Sequence, residues 1–251
     1  MTLMNPLKSR TLHDAHVIGV KDISPKMRRV TVAGDAFKAM HVDRPAMWMK
    51  LFFPMPSNIK RQGRAYTIRA CNAEKGWMVF DFALHGDQGP AAWWIARVRE
   101  GDKLQIAGPR SGYWIDPLQH EQVLIGDATA LPAIAGIVEQ LPTGTRAQVF
   151  IEVADAGEEQ ALISSANLTL RWVHSGAAFP GTTGKLELVV QKADLPRSCQ
   201  VFLAGEAFMV RAMRTHLLVD RRILHTSIDA KGYWRLGTAD HRDRDQVRSP
   251  T

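Results

Sequence analysis

The chain has almost no cysteine. Its two, Cys71 and Cys199, form no CxxC pair and no cluster. A disulfide framework is therefore excluded, and neither zinc nor an iron–sulfur centre has a ligand set. No run approaches the ~18 apolar residues that a membrane-spanning helix needs, so no membrane anchor is expected. The opening residues 1–17 hold no apolar core of the signal-peptide kind, and the expected compartment is the reducing cytoplasm. Several catalytic fingerprints are missing as well: G-x-G-x-x-G, the P-loop, H-E-x-x-H and G-x-S-x-G. The histidines form no ligand-spaced set, so no metal site is expected. No internal repeat is present.

What remains is an ordinary globular composition. Of 251 residues, 45% are hydrophobic and 23% charged. At ~150 residues per domain this is one large domain or two small ones, long enough to bury a core unaided. The formal net charge is +7, unevenly spread. Residues 1–120 hold 18 Lys and Arg against 10 Asp and Glu, and residues 121–251 hold 14 against 15. The basic first half suggests an anionic partner. Its cations are scattered over short elements rather than gathered in one arm, which speaks against nucleic acid.

Short apolar runs separated by Pro, Gly and Asp fill the first half: Val17–Lys21, Met27–Val32, Trp48–Phe53, Arg64–Ala70, Trp77–Leu84 and Lys103–Ala107. Strands at roughly 10-residue spacing predict a small antiparallel β-barrel. One helix is expected at Pro90–Val98, with Pro90 at its first position. The second half alternates. Strands are expected at Val123–Ile125, Gln148–Val153, Leu168–Val173, Gln200–Leu203 and Leu224–Ile228. Helices are expected at Leu131–Gln140, Glu158–Ile163, Lys185–Val190 and Phe208–Leu218. That rhythm predicts a parallel-sheet α/β domain. The division expected is 1–118 for the barrel, 119–238 for the α/β domain and 239–251 for a disordered tail.

Two segments carry chemistry. Arg64-Ala65-Tyr66-Thr67-Ile68-Arg69 puts two cations, an aromatic ring and a hydroxyl on one strand. Arg64, Tyr66 and Ile68 point to one face, and Ala65, Thr67 and Arg69 to the other. An edge strand with solvated arginines would look the same. His85-Gly86-Asp87-Gln88-Gly89-Pro90-Ala91-Ala92 ends a strand, bends on two glycines and opens a helix, a geometry suited to a pyrophosphate. A plain glycine-rich connection fits it too.

Taken together, R-x-Y-T-x-R, then H-G-x-x-G-P-A, then G-D-x-L and G-P resemble the siderophore-interacting protein family, FAD-dependent ferric-siderophore reductases related to ferredoxin reductases. The resemblance continues through Gly126-Asp127-Ala128-Thr129-Ala130-Leu131-Pro132-Ala133. It resumes at Leu203-Ala204-Gly205-Glu206, ends at Lys231-Gly232-Tyr233-Trp234-Arg235-Leu236-Gly237, and covers about residues 14–238. It implies an FAD-binding barrel followed by an NAD(P)H-binding α/β domain. Arg64 would bind FAD phosphate, Tyr66 would pack beside the isoalloxazine ring, and Thr67 would lie near the flavin N5. Tyr66 and Thr67 are thus the catalytic candidates, with Ile68 and Arg69 completing the strand. Because Tyr66 and Thr67 leave an ideal strand on opposite faces, a bulge or twist is expected there. Gly89, Pro90, Ala91 and Ala92 would lie under the pyrophosphate. His85 is a cofactor contact or a structural histidine.

In the second domain, Asp127, Thr129 and Ala130 would face the nicotinamide nucleotide, as would Gly205 and Glu206. An ordinary βα loop capped by Asp127 or Thr129 is the plainer reading. Tyr233 and Trp234 would cover the flavin or pack on the barrel. Arg211 and Arg214 would meet nucleotide phosphate or simply face solvent. The loop 152–159 is acidic and lacks Lys and Arg, which favours a free 2′-hydroxyl and hence NADH alongside NADPH. The activity implied is electron transfer from NAD(P)H through FAD to a ferric siderophore, an anionic chelate, releasing Fe²⁺ in iron acquisition. Lys50, Lys60, Arg61 and Lys103 are possible docking cations. A reductase serving a protein partner and a non-catalytic siderophore or flavin carrier are the alternatives. A monomer is expected.

Overall fold

The computed structural model describes residues 11–54, 63–84, 89–238 and 241. The chain divides into two compact units, 1–114 with 135–140, and 115–134 with 141–251.

The first unit is antiparallel. Its strands are β1 (His13–Ser24), β2 (Met27–Ala33), β3 (Trp48–Phe52), β4 (Gly63–Thr67), β5 (Ala70–Asn72), β6 (Trp77–Ala83) and β7 (Lys103–Arg110), with one short helix, α1 (Pro90–Ile95). They form one seven-stranded sheet in the order β4-β3-β7-β1-β2-β6-β5. β4 and β5 sit at opposite edges of that order, yet only Ile68 and Arg69 separate them in sequence. The three Cα steps from Thr67 to Ala70 reach at most ~11 Å, so the sheet must roll until its edges are neighbours. The two amides mark the junction. Ile68 N–H donates to the Met47 carbonyl and Arg69 N–H to the Val79 carbonyl, each at 2.8 Å. Arg64–Ala70 is therefore two strands rather than the single strand expected, interrupted where the chain crosses from one edge to the other.

β6 is buried on both faces from Met78 to Phe82, as its apolar run predicts. The one charge within it, Asp81, accepts a bidentate pair from Arg29 at 2.7 and 2.8 Å. The fork satisfies both oxygens, which is the condition for burying a carboxylate.

The second unit is a parallel sheet. Its strands are β8 (Glu121–Asp127), β9 (Arg146–Val153), β10 (Asn167–His174), β11 (Gln200–Glu206) and β12 (Ile228–Trp234), in the order β10-β9-β8-β11-β12. Helices α2 (Leu131–Gln140), α3 (Lys185–Lys192) and α4 (Ala207–Val219) belong to the connections. The inner strands β8 and β11 are almost fully buried, as continuous apolar strands in a covered parallel sheet must be. β10, at the edge, alternates between exposed and half-buried.

Two elements differ from expectation. Glu158–Ile163 is no helix. Asp155 accepts from Gly157 N–H at 2.8 Å and closes a single 3-10 turn, Ala156–Glu158, after which regular structure stops. Leu224–Ile228 is no strand either: a 3-10 turn spans His225–Ser227, and the closing strand begins at Ile228. Tyr233 and Trp234 consequently end a strand. Among the described residues, no helix is long and apolar enough to cross a membrane. The expected tail, 239–251, lies almost wholly outside the described residues.

Candidate functional site

Each unit contributes its own candidate region. In the first, β4 pairs with β3 in unbroken register, Gly63 opposite Phe52 through Thr67 opposite Trp48. No bulge interrupts it. Arg64 and Tyr66 lie opposite Leu51 and Met49, both fully buried, and share their face. Thr67 leaves on the other face and is 9% exposed. The strand thus brings together Arg64 and Tyr66, two residues apart on one side, and separates Thr67 from them. Ile68 is buried at the edge crossing. Arg69 turns its guanidinium toward Asp81, at 3.9 Å, and pairs with Glu139 in the 135–140 stretch of the same unit.

Tyr66 sits at the margin of an aromatic group. Its ring lies 4.2 Å from Phe82 and 6.2 Å from Phe53, centroid to centroid. Phe53 in turn stacks on Trp94 of α1 at 4.7 Å. The helix α1 starts after Gly89, whose backbone is extended, with Pro90 in its first turn. Its first intrahelical bond is Trp93 N–H to the Gly89 carbonyl at 3.0 Å. Pro90 has no N–H, and the amides of Ala91 and Ala92 precede any helical partner. A guanidinium, an aromatic ring with a half-exposed side chain, and two first-turn amides make a donor set that fits a flavin dinucleotide. His85 and the glycine turn at 86 lie outside the described residues, as do Lys60 and Arg61. Lys50 is half-buried on β3 and Lys103 exposed on β7.

In the second unit, three parallel strands end in or near a buried carboxylate: Asp127 on β8, Glu152 on β9 and Glu206 on β11, each 2% exposed or less. All are occupied by their own chain. Asp127 Oδ1 accepts from the Thr129 amide at 2.8 Å and its hydroxyl at 2.6 Å. Asp127 Oδ2 accepts from the Glu206 amide at 2.7 Å and from Trp234 Nε1 at 2.8 Å. Burial pushes the Asp127 carboxyl above its usual range, and these donors pull against it. Glu152 accepts from Gly181 N–H at 2.7 Å and from the Thr183 hydroxyl. Glu206 caps α4 by accepting from Phe208 and Met209 N–H, and also holds Leu236 N–H at 3.2 Å.

The Trp234–Asp127 bond spans β11, and Gly205 lets it pass. Its φ is +141°, and a Cβ there would stand 2.6 Å from Asp127 Oδ2. A Cβ on Gly181, whose φ is +84°, would stand 2.7 Å from the same oxygen. Trp234 also presents its ring edge-on to Phe179 at 6.4 Å.

Asp127 and Glu206, expected to face a nucleotide, thus use their oxygens to shape loops. Ala130 is fully buried, and Thr129 and Tyr233 are half-buried. Arg211 is exposed on α4 and Arg214 half-buried. In the acidic loop, Glu152 is enclosed, Glu159 pairs with His174 at 2.8 Å, and Asp155 stays exposed. Glu187, near the start of α3, is pushed up mainly by burial and further by Glu152 and Glu206. Sequence reading gave no sign of Glu152 as an anchor, because its partners lie about 30 residues away. Phe53, Phe82 and Trp94 were legible only as apolar residues.

Comparison with known proteins agrees across both units. The family description "Siderophore-interacting FAD-binding domain" matches residues 16–62 and 56–113, and "Siderophore-interacting protein" matches 119–237. The chain is 29% identical to the ferric vibriobactin reductase ViuB of Vibrio cholerae, over 90% of this chain and 92% of that protein. A solved siderophore utilization protein from T. fusca is 32% identical, with a TM-score of 0.84, over 92% of this chain and 95% of that one. A ferredoxin NADP+ reductase from Neisseria gonorrhoeae shares the fold, with a TM-score of 0.66 at 16% identity over 89% of this chain and 99% of that one.

Proposed function

The chain belongs to the siderophore-interacting protein family, and we propose that it is a cytoplasmic, monomeric NAD(P)H-dependent reductase of ferric siderophores that carries FAD on its first unit. The observation that carries this reading is the shared face of Arg64 and Tyr66 on β4 in a barrel whose 16–113 stretch matches an FAD-binding domain. Likeness to a ferric vibriobactin reductase supports the choice of acceptor.

Each residue has a definite task in this reading. Arg64 holds a phosphate oxygen through its fork, and the first-turn amides of α1 at Ala91 and Ala92 share the pyrophosphate charge. Tyr66 offers a stacking face. Thr67 closes β4 on the opposite face, opposite Trp48. FAD, when bound, supplies the conversion of a hydride from NAD(P)H into single electrons. Thr129 and the loop 152–159 meet the nicotinamide nucleotide. The basic first unit, Lys50 and Lys103 included, draws in the anionic chelate by long-range attraction. Reduction frees the metal because Fe²⁺ binds weakly to the hard oxygen donors that hold Fe³⁺.

The test is anaerobic. Purified protein should be yellow and release FAD, bleach with NADH or NADPH, and recolour on mixing with a ferric siderophore while an Fe²⁺ trap develops colour. FMN in place of FAD would remove the pyrophosphate role of α1. Recolouring by a redox protein but not by ferric chelates would make the chain a reductase for a protein partner. Flavin that neither nucleotide bleaches would make it a carrier.

A further inference from the structure

Tyr66 is not a free-standing platform. It projects from β4, and one side of its ring is taken by Phe82 of β6, with centroids 4.2 Å apart and planes tilted by 40°. Phe53, just past β3, meets the same ring nearly edge-on, at 6.2 Å and 75°. Phe82 and Phe53 are both 1% exposed, and both touch Trp94 of α1, at 5.8 and 4.7 Å. Two rings, Phe82 and Phe53, therefore bear directly on the plane of Tyr66, and Trp94 backs both. Interiors packed this densely do not let one ring tilt without moving its neighbours.

From this geometry we infer that Phe82 is a positioning residue for the flavin, setting the tilt of the Tyr66 ring and through it the contact with the isoalloxazine system. The inference rests on the FAD reading above. It goes beyond that reading by assigning a role to a buried side chain that touches no cofactor. Phe82 supplies neither charge nor hydrogen bond, so its effect is confined to the plane and distance of the aromatic face. That contact differs in strength between oxidised and reduced flavin, because the two differ in electron density and planarity. The ring tilt therefore enters the flavin midpoint potential.

The experiment compares Phe82→Leu and Phe82→Met with wild type and with Phe80→Leu. Phe80 is fully buried in the same strand and the same core, and it serves as the packing control. All four are loaded with FAD and read by visible absorption, visible circular dichroism and flavin midpoint potential. The expected result is that both Phe82 variants bind FAD but show an altered visible dichroism and a shifted potential. Phe80→Leu should lose stability with the flavin signals unchanged. In a Tyr66→Leu background, Phe82→Leu should add no further shift, because its route runs through the ring. Wild-type flavin signals in both Phe82 variants overturn the proposal, as does an equal shift from Phe80→Leu. A wild-type protein that takes up no FAD overturns the underlying reading instead.

Discussion

Replacing Trp234 by Phe removes the indole N–H that donates to Asp127. The indole Nε1 donates at 2.8 Å to Asp127 Oδ2, and the carboxyl is wholly inaccessible to solvent. The acceptor is shielded from solvent, so the loss is that of a hydrogen bond to an enclosed carboxyl, about 1.5–3 kcal/mol. Three donors remain: the Thr129 amide, the Thr129 hydroxyl and the Glu206 amide. A penalty of ~2 kcal/mol corresponds to roughly a thirtyfold rise in the opening equilibrium. The penalty should depend on pH, and its sign follows from the carboxyl. Burial raises Asp127 from its usual 3.8, so the folded state binds this proton more tightly than the unfolded chain. Stability from this group is therefore fullest below 3.8 and falls as pH rises through the folded value. The Trp234 bond lowers that value. Without it the window extends upward, and the penalty should be larger at pH 7 than at pH 5. Native-state hydrogen exchange of the β8, β11 and β12 amides measures this unit directly, avoiding a single transition for a two-unit chain. Wild-type protection in Trp234→Phe at pH 7, or a penalty growing toward pH 5, would refute the reasoning.

Arg64→Ala should weaken FAD binding by about ten- to a hundredfold, the loss of a charge-assisted contact, as read by titration of the apoprotein with FAD. Cys199 is buried and pushed up to about 11 by burial, so a thiol reagent at pH 8 should react with it only after unfolding. Prompt reaction in the native protein would contradict its packing. NADH should be used at least comparably to NADPH, because the 152–159 loop carries acids and no Lys or Arg. Rates at matched concentrations decide, and a hundredfold NADPH preference would show that another segment reads the ribose.

The alternation of strands and helices in the second half was legible because inner parallel strands carry apolar central runs, as Val123–Ile125, Val149–Ile151 and Val201–Ala204 do in β8, β9 and β11. α2 was found to the residue, Leu131–Gln140. Two kinds of feature were hidden. One was local competition. Asp155 and Gly157 close a turn that ends regular structure where apolar spacing suggested a helix. The other was long-range pairing. Trp234 meets Asp127 from 107 positions away, and no periodicity reports such a bond. Sequence identified both as site residues, yet their polar atoms answer each other. Likewise the pattern at 64–69 named the right strand, while the crossing at Ile68 and Arg69, visible only in three dimensions, split it. The opposite faces of Tyr66 and Thr67 followed from strand geometry alone, and the structure supplies no bulge to reconcile them.

The place of β1 in its sheet has a consequence for biosynthesis. Of the described strands it is the earliest in the chain, yet it lies in the middle of the sheet order, between β2 and β7. Its β2 flank closes within a few residues of synthesis, since Ser24 pairs with Met27. Its other flank waits for β7, where His13 finds Ile106. At translation rates of 5–20 residues per second, that strand arrives about 5–20 s later. Until then the β3–β4 hairpin, with Arg64 and Tyr66 on it, also lacks its second neighbour, because β3 pairs with β7 as well. The nascent chain therefore passes through a stage in which two strand edges stand open at once. A ribosome stalled short of residue 110 should expose a chaperone-binding, FAD-incompetent half-barrel, and one stalled well beyond it a closed barrel.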